Sequence, residues 1–343
     1  MRVVITTVQV PFIRGGGELM ADGLVGALRR RGVDVELVSM PFRFGPPEEV
    51  MRSMDAWAQE EYESADIAIC LKFPTYYLRH RRRVVWLMHQ HRSVYELFNT
   101  AYGESDGDAS AVRLRAEVMR RDTESLRGAR VFTIAARVSQ RLALYNGISA
   151  LELYHPPRGA DLFYQGEQLP YIFAPSRLES LKRHELLIRA MPLVRKPIMA
   201  ILVGQGGVRA HLERMTGELG LKDRIKFLDY MGFRDLIDLY ANSLGVFFGP
   251  FDEDYGYVTL EAMLSSKPVV TCTDSGGPLE FVVHGDTGYV VEPTPDAIAD
   301  CINQLATDPA QARLMGRCGK ERIEGLGLSW DRVIDVLLEA RTP

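Results

Sequence analysis

Cysteine is scarce in this chain, and the four it has, Cys70, Cys272, Cys301 and Cys318, stand far apart with no Cys-x-x-Cys pair. That spacing argues against a zinc site or a disulfide frame and leaves reduced core or surface thiols. No apolar run approaches the roughly 20 residues needed to span a bilayer. The opening residues, Met1-Arg2-Val3-Val4-Ile5-Thr6-Thr7-Val8, have the pattern of a first strand and lack a small-residue cleavage site, so the expected location is cytoplasmic. No basic stripe is interleaved with aromatics, which speaks against nucleic acid as a partner. The dinucleotide fingerprint is missing as well. Gly15, Gly16 and Gly17 are consecutive, and the strand over 33–39 does not end in a well-placed ribose-binding acid, so a dehydrogenase is disfavoured. Asp106-Gly107-Asp108 has the spacing of a metal-binding acid pair, but it falls in a loop-like stretch over 103–110; no metal or cofactor is expected.

What the chain does have is length for two ordinary domains, 343 residues, with 46% apolar and 25% charged side chains, the balance of a globular protein with a full core. Its net charge of −4 hides an asymmetry. Residues 1–158 carry 22 basic against 19 acidic side chains, and the remainder 19 against 26. Arginine clusters at Arg29-Arg30-Arg31 and Arg79-His80-Arg81-Arg82-Arg83 could hold the protein against anionic headgroups at the inner face of a membrane, or bind an acidic acceptor. They could equally be solvated helix ends and loops.

Strand and helix alternate from the start. A strand over 3–8 leads through the Gly15–Gly17 loop to a helix over 19–31, the opening of a doubly wound sheet in which consecutive glycines let a sugar or phosphate approach the backbone. Strands over 66–71 and 84–88 follow. The second ends at His89-Gln90-His91, placing a histidine at the carboxyl end of a parallel strand, where such sheets bind ligands. A helix over 113–127, a strand over 130–135, a helix over 136–145 and a strand over 151–155 lead to Pro156-Pro157-Arg158-Gly159-Ala160-Asp161, a stiff linker. The pattern then restarts. Tyr171–Pro175 is a strand, followed by a loop containing Arg177 and Lys182. A strand over 197–203 turns through Gly204-Gln205-Gly206-Gly207 into a helix over 209–219. A short strand over 225–228 precedes the turn at Tyr230-Met231-Gly232.

The stretch around which the chain is organised comes next. An apolar run, Leu244-Gly245-Val246-Phe247-Phe248, closes at Gly249-Pro250 and gives way to Asp252-Glu253-Asp254-Tyr255-Gly256-Tyr257-Val258-Thr259-Leu260-Glu261-Ala262-Met263. The order is buried strand, acidic glycine-bearing loop, helix start. A helix N-terminus offers unpaired N–H groups and a positive dipole end to a phosphate. Glu253 and Glu261 flank that turn with seven residues between them.

Two glutamates at that spacing, with Gly256 and Glu261-Ala262-Met263, resemble the signature of retaining glycosyltransferases of the GT-B fold, the group 1 or family 4-like enzymes. The resemblance is strong from about Tyr171 onward and weaker before it. It implies an α/β architecture of two Rossmann-like domains facing a central cleft: an acceptor-binding domain over 1–158, a donor-binding domain over 165–325, and a terminal helix over about 328–343 that returns to the first domain. It implies transfer of a hexosyl group from a UDP- or GDP-sugar to a glycan, lipid-linked or small-molecule acceptor. In that family the second glutamate, here Glu261, holds the donor ribose, and Glu253 lies against the donor sugar. Amides near Gly256, Tyr257, Val258 and Thr259 meet the diphosphate. Arg177 and Lys182 match the diphosphate-binding pair, although the family usually has glycine after that lysine and this chain has Arg183. Gly16 and Gly17 fall near the donor, Gly204 and Gly206 near the nucleotide, and Tyr230 and Met231 at the nucleobase. A histidine after the fourth strand lies near the reacting centre, for which His89 fits best and His91 is the alternative. Gly276-Gly277-Pro278-Leu279-Glu280 repeats a further family element. An epimerase on the same fold, or a non-catalytic nucleotide-sugar-binding protein, would share most of these residues.

Overall fold

The computed structural model describes residues 1–339, and the chain divides into two compact units, Met1–Arg158 with the segment from Leu328 on, and Gly159–Gly327. Residues 340–343, the end of the expected terminal helix, lie outside the described residues.

The first unit runs β1 (Arg2–Gln9), α1 (Gly16–Arg30), β2 (Asp34–Pro41), α2 (Pro47–Gln59), β3 (Ile67–Cys70), β4 (Arg83–Leu87), α3 (Ala109–Leu126), β5 (Arg130–Thr133), α4 (Ala136–Asn146) and β6 (Leu151–Glu152). All pairings are parallel, in the order β2-β1-β3-β4-β5-β6. Ile5 lies in register between Leu37 and Ile69. A parallel sheet covered on both faces needs continuous apolar strands, and β3 is buried at every residue.

The second unit runs β7 (Tyr171–Pro175), α5 (His184–Ala190), β8 (Met199–Val203), α6 (Arg209–Glu218), β9 (Ile225–Leu228), α7 (Phe233–Asn242), β10 (Gly245–Phe247), α8 (Tyr257–Leu264), β11 (Val269–Cys272), β12 (Gly288–Val291), α9 (Pro295–Thr307) and α10 (Pro309–Gly325). Its parallel order is β12-β11-β10-β7-β8-β9. Ile172, Ala174, Leu202, Phe247 and Val270 from the sheet pack with Leu187, Leu212 and Ile302 from the helices. The chain winds outward from β7 to β9, then returns to place β10 on β7's other side. The sheet therefore has its switch point between β7 and β10, and the loops leaving those strands diverge to open a crevice at their carboxyl ends.

The last helix, α11 (Trp330–Glu339), belongs to the first unit. It lies against α1, where the ring of Trp330 occupies the space a side chain at Gly23 would need, Cζ2 standing 2.4 Å from an ideal Cβ.

Several expectations change here. Gly16 and Gly17 are not loop residues: they open α1, with Gly15 as its cap and the Gly15 amide donating to Glu18 Oε2 at 2.8 Å. First-turn amides need no partner inside a helix, so glycine is tolerated there. Helix α2 was not foreseen, although Pro47 at its start and Glu48 and Glu49 in its first turn are helix-opening residues. The 103–110 stretch is not a free loop. Asn99 and Asp106 exchange hydrogen bonds at 2.9 and 2.8 Å, and Asp108 caps α3 by accepting from the Ser110 amide at 2.7 Å. Strand β6 keeps only Leu151 and Glu152 of the five residues expected.

Candidate functional site

The loops at the switch point of the second sheet bring together Lys182 and Glu253, two of the residues singled out from the sequence. Strand β7 releases a loop from Ser176 to Arg183, which closes on itself where Ser176 Oγ meets His184 Nε2 at 3.1 Å. Arg177 is exposed on this loop; its carbonyl accepts from the Glu179 amide at 2.9 Å, while its side chain makes no hydrogen bond or ion pair among the described residues. Lys182, at its far end, has its Nζ in ion-pair contact with Glu253 Oε2 and 5.5 Å from the centre of the Phe248 ring. Both charged side chains are largely sheltered, at 14% and 18% exposure, so their attraction is screened less than that of a surface pair.

Strand β10 releases the loop bearing Glu253. Its main chain is stitched to the loop after β11: the Asp252 and Glu253 amides donate to Asp274 O and Ser275 O, each at 2.9 Å, and the Gly277 amide donates to Glu253 O at 2.8 Å. The loop turns into α8 at Gly256, whose φ of 85° lies in the left-handed region. A side chain there would also stand 3.0 Å from Pro278 Cγ, so glycine is required twice over. Among the first-turn residues Thr259 stands apart. Its amide donates to Gly256 O at 2.9 Å and its side chain is fully buried, so the helix end offered to an anion lies ahead of it, at Tyr257 and Val258.

Glu261, one turn further on, accepts a hydrogen bond from the Tyr240 hydroxyl at 2.6 Å. Burial pushes its carboxyl above the usual range and the Tyr240 bond opposes that shift. The sequence had not pointed to Tyr240, because a tyrosine inside an amphipathic helix carries no local sign of its partner.

Gly204 and Gly206 act on the site indirectly. Side chains there would strike Ser176 O at 2.0 Å and Leu178 O at 2.2 Å, and the Leu178 amide donates to Gln205 O at 2.9 Å. These glycines let the β8 loop press against the Arg177 loop and hold it. Tyr230, 86% exposed, and half-buried Met231 sit on the loop after β9, at the edge of the sheet.

In the first unit the switch point lies between β1 and β3. Gly17 is there closely approached: a side chain would come within 3.1 Å of Lys72 Nζ and 3.2 Å of Met88 Sδ. Glu18 faces Lys72 at 3.5 Å. Neither Glu18 nor Lys72 had been singled out; a lone lysine just past an apolar strand was the available sign. His89 follows β4, half-buried, with Nδ1 2.7 Å from Gln90 O. Because a carbonyl only accepts, Nδ1 is the donor in that contact. Gln90 is itself held by Asp122 at 3.2 Å and Asn146 at 2.9 Å. His91 is instead a core residue, 2% exposed and stacked on Phe73 at 5.1 Å. Burial pulls its pKa down to about 4, with His89 adding to the shift.

The arginine clusters are partly engaged. Arg83 donates to the carbonyls of Tyr76, Leu78 and Ser125, Arg82 to Leu338 O on α11, and Arg31 pairs with Asp331 and Asp335 on the same helix. Arg29, Arg30, Arg79 and Arg81 remain exposed.

Two Rossmann-like units of parallel strands, the second presenting cations and a helix N-terminus at its switch point, define a GT-B protein. The fold matches that of sucrose-phosphate synthase from Thermosynechococcus elongatus with a TM-score of 0.78 at 19% identity, covering 98% of this chain and 96% of that one. It also matches Anabaena Alr3699/HepE, solved with UDP and glucose, with a TM-score of 0.72 at 17% identity, covering 99% and 100%. Residues 165–322, which lie within the second unit, match the family model Glycosyl transferases group 1. Alpha-1,3/1,6-mannosyltransferase ALG2 of Dictyostelium discoideum is 37% identical over 116 residues, which span 33% of this chain and 27% of that relative.

Proposed function

We propose that this protein transfers a glycosyl group, with retention of configuration, from a nucleoside-diphosphate sugar to a hydroxyl of a glycan, lipid-linked or small-molecule acceptor. The observation that carries this reading is the contact of Lys182, on the loop after β7 that also bears Arg177, with Glu253, on the loop that runs from β10 into α8 and Glu261. In transfer, the bond from the anomeric carbon to the β-phosphate oxygen breaks and the electron pair leaves with the diphosphate. Arg177, Lys182 and the α8 amides stabilise that charge. Glu253 accepts hydrogen bonds from donor-sugar hydroxyls and Glu261 from the ribose diol. The acceptor oxygen bonds to the anomeric carbon and its proton passes to the departing phosphate, with His89 polarising the reacting groups. The mannosyltransferase name of the ALG2 relative, together with the UDP and glucose in the HepE structure, supports screening both GDP-mannose and UDP-sugars.

The test is a thermal-shift screen with UDP, GDP and their sugars, since a ligand bound only by the native state raises Tm, followed by transfer assays with and without EDTA. Stabilisation by one diphosphate and EDTA-insensitive transfer to an acceptor are expected. Conversion of donor alone into its epimer would mark an epimerase instead. Donor binding with no transfer across an acceptor panel would mark a non-catalytic protein. No stabilisation by any diphosphate would remove the reading.

A further inference from the structure

We propose that Arg183 is a positioning residue for diphosphate recognition, one side chain that locks the three loops of the donor site into a single arrangement. The inference rests on the donor-site reading above. Its backbone has φ 50°, in the left-handed region that is unfavourable for any residue with a Cβ. Such a conformation persists only where the surroundings over-determine it.

Here the surroundings are the loops themselves. The Arg183 side chain is 8% exposed. Its Nε donates to Gly249 O at 2.9 Å and its Nη2 to Pro250 O at 2.9 Å, the two carbonyls that head the Glu253 loop. The same guanidinium grips the Asp274 carboxylate with both terminal nitrogens, Nη1 to Oδ2 at 2.7 Å and Nη2 to Oδ1. Asp274 lies in the loop after β11, whose carbonyls at 274 and 275 receive the Asp252 and Glu253 amides. The residue before Arg183 is Lys182. A planar fork thus ties the lysine's own loop to the two loops that place Glu253 and lead to α8. A lysine cannot reproduce that fork, since its single ammonium serves as a point charge.

The consequence is selective. Groups that face the β-phosphate and sugar stand on the loops Arg183 joins, whereas Tyr230 and Met231 stand beyond β9, and Glu261 is held by Tyr240 on α7. Loss of the fork loosens recognition of the second phosphate more than recognition of the nucleoside.

The test titrates UDP, UMP, GDP and GMP into the parent, Arg183→Gly, Arg183→Lys and Asp274→Ala. Arg183→Gly relieves the backbone and removes only the fork. Its affinity for the preferred diphosphate is expected to fall tenfold or more, with under threefold change for the matching monophosphate. Arg183→Lys should share the loss, Asp274→Ala should show it in milder form, and millimolar guanidinium should partly restore Arg183→Gly. Unchanged diphosphate affinity in Arg183→Gly, or equal losses for both nucleotides, would overturn the inference. Should Arg183→Gly fail to fold, by circular dichroism, Asp274→Ala decides by the same ratio. A parent that binds no nucleotide overturns the donor-site reading and the inference with it; a parent that binds while the variants stay unselective overturns the inference alone.

Discussion

Lys182 and Glu253 stand 71 residues apart in the chain and in direct ion-pair contact in the fold, Nζ against Oε2. The pair joins the loop after β7 to the loop after β10 across the switch point, so the cation proposed to meet the diphosphate is already oriented by the acid proposed to meet the sugar. A charge held in place before the ligand arrives loses less entropy on binding.

Lys182→Ala is therefore expected to weaken binding of the preferred nucleoside diphosphate at least tenfold, about 1.4 kcal/mol, by isothermal titration. Arg82→Ala, which among the described residues loses only its side-chain bond to Leu338 O, is expected to leave that affinity unchanged while lowering Tm. Equal diphosphate affinity in Lys182→Ala and the parent would remove the assignment of Lys182.

The Tyr240–Glu261 bond makes a second, separable prediction. Tyr240→Phe leaves a largely buried carboxylate short of a donor, at a cost of about 1–3 kcal/mol, visible as a lower urea midpoint. Glu261→Gln keeps the shape but weakens acceptance from a ribose diol, so the preference for the ribonucleotide over its 2′-deoxy counterpart should shrink. A variant that keeps the full ribose preference would show that Glu261 does not hold the sugar.

The two neighbouring histidines are expected to separate cleanly. His89→Ala should lower kcat by about 10²-fold, the usual scale for a group assisting proton movement, with little change in Tm. His91→Ala should lower Tm through the cavity left between Phe73 and Phe44, on the order of 2–4 kcal/mol. The reverse pattern would exchange their roles.

Stability should depend on pH through histidines kept neutral by burial. His91 and His184 are drawn down to about 4 and His155 to about 3, in each case first by desolvation. A histidine whose folded pKa lies below its unfolded value of about 6.5 contributes stability fully present above pH 6.5, and that stability is lost as pH falls towards the folded value. Asp122 works the other way. Burial raises it to about 6, so ionising it costs stability at neutral pH, and that cost is relieved as pH falls below 6. Glu261, also raised by burial, acts in the same direction as Asp122. With three histidines against two carboxyls, urea midpoints should drop between pH 6.5 and 4. His91→Phe, suited to its aromatic surroundings, should reduce that slope by about one proton. A flat profile over this range would contradict the buried neutral histidines.

Much of this molecule is legible from local pattern alone. Alternating apolar strands and amphipathic helices announce a doubly wound architecture because both periods are written within a few residues of each other. The two glutamates, Gly256, Arg177 and Lys182 stood out as candidates because their pattern resembles a family signature. What local pattern could not supply is which distant group each residue meets. The return of β10 to β7, the contacts of Tyr240 with Glu261 and Arg183 with Asp274, the burial of His91 beside an accessible His89, and the use of Arg31 and Arg82 to hold α11 all depend on parallel strands paired through long crossovers. Chemical character is carried by each residue where it stands, but its partners are chosen by the register of a sheet whose neighbours lie dozens of residues away. Only the assembled fold could decide them.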